Sequence, residues 1–313
     1  MNNIKMRPTR VGFGIGLAEI AEQKKEIVCL GADLTSSVSL DLFKSKYPER
    51  FFSIGIAEQN IAAIAAGFAL NGMLPVFATY ATFATTRCLD QIRISICYNN
   101  LPVIIGGAHA GISVGADGAT HQSLEDIATM RVLPNMTILS PCDATQAEIA
   151  IKTAVLNCKS PVYIRVGRES VPDFTSIDQH FTIGKGQVLK QGIDVTIIAT
   201  GHLVYESLMA AQILENKNIS AQVVNIHTIK PIDQELIIDC AKSTNFVVSV
   251  EEHQIIGGLG SAVSEVLSKH YPCRMEFIGM DDQFGESGTP DELLKKYNLD
   301  RTAIAERIIK TIK

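Results

Sequence analysis

Two histidines, His109 and His121, lie in one glycine-rich stretch, GGAHAGISVGADGATHQ, with Asp117 between them. A stretch so rich in glycine lets backbone approach a ligand closely. One loop histidine is usually only solvated. Two histidines and an acid in a single loop after an apolar strand make a candidate site. A second carboxylate, Glu58, sits in FFSIGIAEQN, where an apolar strand breaks at Gly55 and delivers Glu58 to the start of the helix IAAIAAGFAL. Its alternating Ala and bulky apolar residues predict a helix packed on nearly all sides. Glu58 then has two readings. It is either a solvated first-turn acid complementing the helix dipole, or a carboxylate with few waters around it. Burial in the second case raises its pKa, so that it holds a proton and donates a hydrogen bond to a ring nitrogen. Tyr80 and Phe83, three residues apart, put two rings on one side of a turn or helix start. They read equally as core packing or as a slot for a flat ring.

The elements that must position these residues alternate regularly. Short apolar strands at 27–30, 75–80, 102–108, 136–139 and 161–166 are interleaved with helices at 11–22, 58–70, 87–98, 123–131 and 144–156. Asn71-Gly72 closes the Glu58 helix with residues suited to a left-handed cap. Residues 171–191 are rich in Pro, Asp and Gly and break the rhythm, which reads as a linker. Strands at 194–199, 220–226, 246–250 and 275–278 then alternate with helices at 204–215, 233–241 and 261–270, and two amphipathic helices follow. The expected fold is α/β: two consecutive domains, 1–175 and 185–313, each with a mostly parallel sheet flanked by helices.

Length and composition fit that layout. The chain has 313 residues, 46% hydrophobic and 19% charged, enough for two cores. The net charge of −5 and the absence of a basic stripe argue against nucleic acid as a partner. Cys29, Cys88, Cys97, Cys142, Cys158, Cys240 and Cys273 form no C-x-x-C pair and read as reduced core residues of a cytoplasmic protein. The start, MNNIKMRPTR, has no apolar run behind it, so neither a signal peptide nor a membrane span is expected.

GIAEQN with its apolar helix, then PVFATYATF, then GGAHAGISVGADGATHQSLED resembles the pyrimidine-binding half of transketolases, and the likeness extends over nearly the whole chain. It implies that Glu58 hydrogen-bonds the aminopyrimidine of thiamine diphosphate and activates it, that Tyr80 and Phe83 form the pyrimidine slot, and that Asp33 in GADL lies near the cofactor's edge. It further implies that His109 contacts the sugar phosphate, that Asp117 and His121 contact hydroxyls of the donor, and that His109 and His121 act catalytically. Arg168, after PVYIRV, matches a phosphate-binding position, and a guanidinium suits that task because its donors are planar and always charged. Arg10 and Ser37 match two more phosphate contacts, alongside their readings as a surface arginine and a loop serine. The chain departs from the pattern at Thr86, where a third aromatic is usual, and at Ala116, where an acid is usual. VEEHQIIGGLGSAV in the second domain is similar to the equivalent transketolase stretch. Its glycines read as a strand edge and helix start, not as a phosphate loop.

Metal ligands are not expected in this chain. In transketolases Mg²⁺ and the diphosphate are held by a GDG sequence followed by Asn, in a separate domain. The nearest string here is Ala116-Asp117-Gly118 with Thr145 and Gln146 downstream. The resemblance therefore implies the C-terminal subunit of a split transketolase, transferring a two-carbon ketol unit between sugar phosphates. Its Mg²⁺ ligands would lie on an N-terminal partner subunit. A heterotetramer is expected, with self-association of the free chain as a dimer. The alternatives are other thiamine diphosphate enzymes (a deoxyxylulose-phosphate synthase relative, a 2-oxo acid dehydrogenase beta subunit, or a transketolase for a sulfonated or branched ketose) and a catalytically silent assembly subunit.

Overall fold

The computed structural model describes residues 4–157 and 159–312. Among these residues the chain forms two main sheets. Strands of the 7-stranded sheet lie, edge to edge, in the order Thr228–Lys230, Thr137–Leu139, Val162–Arg165, Ile104–Ala108, Leu74–Tyr80, Ile27–Gly31, Phe51–Ser53. All its pairings are parallel except the first. The 5-stranded sheet runs Arg274–Met280, Phe246–Gln254, Val195–Ala199, Ala221–Asn225, Gln187–Lys190, with only the last pairing antiparallel. Central strands such as Ile27–Gly31 and Val195–Ala199 are buried along their whole length, as parallel strands covered on both faces must be.

Three features depart from the sequence expectation. First, Thr228–Lys230 comes from the second half of the chain yet pairs with Thr137–Leu139 of the first sheet. The two halves are thereby stitched by backbone. Second, the linker is ordered at both ends: Ser170–Asp173 pairs antiparallel with Lys5–Pro8, and Gln187–Lys190 closes the second sheet. Third, the helix expected at 87–98 is interrupted. Wide turns span Phe83–Arg87 and Ile92–Cys97, with three α-helical residues between them. Side-chain back-bonding explains the first widening. Thr85 Oγ1 donates to the Ala81 carbonyl at 2.8 Å, Thr86 Oγ1 to Thr82 at 2.5 Å, and Cys88 Sγ to Phe83 at 3.5 Å, competing with the backbone ladder.

The helix Glu58–Leu70 is buried on one face only. Ile61, Ala62, Ala65, Ala66 and Ala69 pack inward, while Gln59, Asn60, Ala63 and Leu70 are exposed. Gly72, at φ +81°, supplies the left-handed residue that ends it. The helix Thr9–Gln23 lies tightly on Ala144–Asn157, because a Cβ at Gly12 or Gly16 would overlap the carbonyl oxygens of Ala144 and Glu148. That contact fixes Arg10 in the first helical turn. The cysteines Cys29, Cys88, Cys97, Cys142, Cys240 and Cys273 are free, and Cys158 lies outside the described residues. Burial raises the thiol pKa of Cys88 to about 12. Among the described residues no helix is long and apolar enough to cross a membrane.

Candidate active site

Nearly every candidate residue emerges at the carboxyl end of a parallel strand, where ligands bind in open α/β sheets. Ser37 follows Ile27–Gly31, Glu58 follows Phe51–Ser53, and Tyr80 ends Leu74–Tyr80. His109 follows Ile104–Ala108, and Arg168 follows Val162–Arg165. Register pairs Tyr80 with Ala108, so the neighbouring His109 falls beside the tyrosine ring. His109 itself sits at φ +57°, a left-handed backbone unusual for a residue with a Cβ.

Contacts join these residues into one row. Glu58 is 5% exposed, and Arg87 Nη1 donates to its Oε1 at 2.9 Å. The Arg87 guanidinium lies 3.9 Å from the Phe83 ring centroid. Phe83 stacks on Tyr80 at 5.5 Å, and Tyr80 on the His109 imidazole at 4.0 Å. The His121 ring meets Tyr80 and Phe83 edge-on, at 5.8 and 5.5 Å. Ser37 Oγ bridges Tyr80 Oη at 3.0 Å and His109 Nε2 at 3.4 Å. Arg10 donates to the Ser37 carbonyl from Nη1 and to the Arg168 carbonyl from Nε. Arg168 Nη1 pairs with Asp117 Oδ1 at 2.9 Å and donates to the Val114 carbonyl at 3.2 Å.

Asp33 is exposed in the turn after Ile27–Gly31 and, among the described residues, makes no hydrogen bond or ion pair with this row. Thr86 is exposed, so the position that lacks the third aromatic opens to solvent.

Electrostatically the two ends of the row differ. At the Arg10 end, burial lowers the His109 pKa to about 3, with further depression from Arg10, Arg168 and His121. His109 is therefore neutral near pH 7 and offers hydrogen bonds, not charge. Its Nδ1 is buried and, among the described residues, has no hydrogen-bond partner. Arg10 is also shifted down, first by burial and then by Arg168. Two guanidiniums and a neutral imidazole lie together at this end. At the other end a buried carboxyl faces an aromatic ring.

Two matches to family models cover almost all of the chain: "Transketolase, pyrimidine binding domain" over residues 5–173 and "Transketolase, C-terminal domain" over residues 184–304. The chain belongs to the transketolase family. Among individual transketolase relatives, a transketolase C-terminal section of Methanocaldococcus jannaschii is 44% identical over 307 residues, covering 97% of this chain and 96% of that protein. The 6-deoxy-6-sulfo-D-fructose transketolase subunit of Clostridium sp. strain MSTE9 is 40% identical over 283 residues, covering 90% and 88%. A solved split-gene transketolase, in the form of an inactive beta4 tetramer, superposes with a TM-score of 0.91 at 46% identity, covering 97% of this chain and 98% of that one. The two consecutive α/β domains of the sequence reading are thus the fold found.

Two features of the site escaped sequence reasoning. Arg87 pairs with Glu58 and covers Phe83, and its i, i+4 spacing from Phe83 on a helical stretch was the available signal. The VEEHQ segment packs behind the loop 109–121, a long-range contact with no local signature. Glu251 Oε2 and Oε1 accept the backbone N–H groups of Leu259 and Gly260 at 2.7 and 2.8 Å. A Cβ at Gly258 would overlap the Glu251 carboxylate, so that glycine makes room for a carboxylate cap and not for phosphate.

Proposed function

We propose that this chain is the C-terminal subunit of a split, thiamine diphosphate-dependent transketolase of the cytoplasm, transferring a two-carbon ketol unit from a ketose phosphate to an aldose phosphate. The observation that carries this reading is the continuous row from Glu58 through Phe83, Tyr80 and His109 to Arg10. It puts a buried acid, an aromatic slot and an anion receptor along one sheet edge. Thiamine diphosphate, when bound, supplies the carbanion-stabilising chemistry. The residues present fit its pyrimidine end. Glu58 is buried at the mouth of its helix, where its carboxyl would hydrogen-bond a ring nitrogen of the pyrimidine. A flat ring stacked on Phe83 gains about 0.5–1.5 kcal/mol beyond its area burial. In the structure both positions are engaged by Arg87, so a ring entering the slot takes the place of the guanidinium over Phe83.

His109 and His121 orient hydroxyls of the donor, with Asp117 beside them, and His121 passes protons as the carbon–carbon bond breaks. Neutral His109, Ser37, Arg10 and Arg168 hold the terminal anion, and Asp117 fixes the Arg168 guanidinium through its ion pair. Among the described residues no group of three or more His, Cys, Asp or Glu could hold a metal ion. Thr145 and Gln146 are engaged in packing: Arg7 donates to Thr145 Oγ1 within the first half, and Gln146 Oε1 accepts from Asn225 Nδ2 of the second. On the transketolase resemblance we assign Mg²⁺ and the diphosphate to an N-terminal partner subunit, with a heterotetramer as the assembly.

A sulfonated ketose is a second reading. Guanidiniums bind sulfonate and phosphate oxygens alike, and the Clostridium relative is named for a sulfosugar. The test is product analysis on the co-purified complex with xylulose 5-phosphate, fructose 6-phosphate and 6-deoxy-6-sulfofructose as donors and an aldose phosphate as acceptor. The reading predicts a ketose lengthened by two carbons from at least one donor. Pyruvate consumption with no ketol transfer would mark a deoxyxylulose-phosphate synthase relative instead. A complex whose melting temperature ignores thiamine diphosphate would mark a silent assembly subunit.

A further inference from the structure

The loop that carries His109, Asp117 and His121 has a rear face, and that face belongs to the C-terminal domain. Glu252 ends the motif VEE and is buried, with its side chain 2% exposed. Its Oε1 accepts the backbone N–H of Ser113 at 2.5 Å, across the boundary between the two halves of the chain. The loop is shaped to admit this carboxylate. Gly111 sits at φ +90°, and a Cβ there would overlap the Glu252 carboxylate on the side facing the loop. Other parts of the same domain complete the backing. The helix Pro290–Lys296 packs on Ile112–Asp117, and Gln122 Nε2 donates to the carbonyls of Ile112 at 3.1 Å and Glu286 at 2.8 Å.

The Glu252 backbone is itself held from behind. Arg165 Nη2 donates to the Glu252 carbonyl at 2.8 Å while its Nε binds Asp126 Oδ2 at 2.9 Å. His202 Nδ1 lies 3.1 Å from Glu252 Oε2, off line for a hydrogen bond. A cavity of about 20 Å³, room for one water, lies between these groups and the loop, lined by Thr9, Ser113, His202 and Glu252 among others. Its neighbour Glu251 is equally buried but turns to its own domain, where it caps the helix Leu259–His270.

We propose that Glu252 is a positioning residue. Through the Ser113 amide it fixes the loop that presents His109 and Asp117, so the C-terminal domain sets the geometry of the loop that carries the proposed substrate contacts. A buried charge-assisted hydrogen bond to one backbone N–H is stronger than a neutral one and defines a single loop position. A displacement of about 1 Å in such a loop costs on the order of 100-fold in rate. The inference rests on the transketolase reading for its catalytic consequence but not for its structural one, and the two can be tested apart.

The structural arm measures hydrogen exchange of amides 111–118 in the full chain for wild type, Glu252→Ala, Glu252→Gln and Glu251→Ala. Exchange at Ser113 should rise at least 10-fold in Glu252→Ala. It should rise less in Glu252→Gln, whose amide oxygen still accepts. It should stay at the wild-type rate in Glu251→Ala, which removes an equally buried carboxylate and lowers the melting temperature without touching the loop. The kinetic arm uses the complex with the partner. Glu252→Ala should raise KM for the sugar phosphate at least 10-fold while half-saturation by thiamine diphosphate stays within 2-fold, and Glu252→Gln should recover part of the loss. Wild-type exchange in Glu252→Ala, equal loosening in Glu251→Ala, or a loosened loop with unchanged KM would each overturn the proposal. If the wild-type complex turns over no sugar, that failure falls on the proposed function, and the exchange arm alone decides the clamp.

Discussion

At the residue scale the site works by environment more than by residue type. Glu58 was readable in the sequence as an acid at a helix mouth, but not its choice between solvated and buried; the structure buries it at 5% exposure. The expected consequence is sharp. Glu58→Gln keeps the fold, since the amide fills the same volume, yet loses roughly 10²–10⁴-fold in turnover, because an amide is far too weak an acid for the role. Steady-state rates on the complex, with a melting curve as the fold control, check it, and near wild-type turnover would contradict the assignment. The anion end gives a second outcome. His109→Ala and Arg168→Ala should raise KM for phosphorylated donors at least 10-fold and barely affect unphosphorylated ones. His109 is neutral near pH 7, so its loss should alter KM without shifting the pH profile above pH 5. Part of the Arg168 fork is shared with Asp117. Equal effects on both classes of donor would argue against anion anchoring.

At the element scale, strands and helices were legible because their signals are local. Apolar runs of five residues such as IVCLG and VTIIA bounded by turns can only be buried strands, and Asn71-Gly72 marked a helix end that the structure keeps. What was not legible depends on contacts far along the chain. Thr228–Lys230 is too short to signal a strand and is defined by its partner in the other sheet. The helix expected at 87–98 is interrupted, and its entry at Phe83–Arg87 is widened because hydroxyls of Thr85 and Thr86 compete for carbonyls, which periodicity does not register. The Glu58 helix looked buried all round because alanine is compatible with either burial or exposure, and only one face packs.

Buried titratable groups within these elements set an acid response. Burial lowers His109 to about 3 and His227 and His253 to about 4, all from 6.5. The unfolded chain therefore takes up more protons, and the stability these groups hold above pH 6.5 is lost as pH falls toward 4 and 3. Glu251 works in the opposite sense. Burial raises it from 4.5 to about 7, so its contribution is complete below pH 4.5 and is lost as pH rises through about 7. Between pH 4.5 and 6.5 these three histidines lower the melting temperature on acidification, while Glu251, with Glu125 and Asp143 shifted in the same sense by burial, opposes that fall. Glu251→Gln should steepen that fall by removing its part of the opposing slope. A shallower fall in the variant, measured by thermal melts across that range, would contradict the burial assigned to Glu251.

At the scale of the whole molecule the proposed reading makes the chain half of a cofactor site. The residues of the row lie at the carboxyl ends of neighbouring strands, and some exposed apolar side chains lie on adjoining elements. Ile56 is 72% exposed, Leu70 71% and Tyr98 83%, on or beside the helix Glu58–Leu70 and the packed segment Ile92–Cys97. On the proposed reading, the elements that carry these exposed apolar side chains are where the partner chain docks. A partner docked there would bury the open side of the Glu58 helix and bring its diphosphate-binding residues opposite Phe83. The measurement that tests this account most directly is a coupled transketolase assay on the pure chain with Mg²⁺ and excess thiamine diphosphate, before and after addition of the N-terminal partner. The account predicts no turnover from the chain alone and ketol transfer once the partner is added. Full activity without the partner would contradict it.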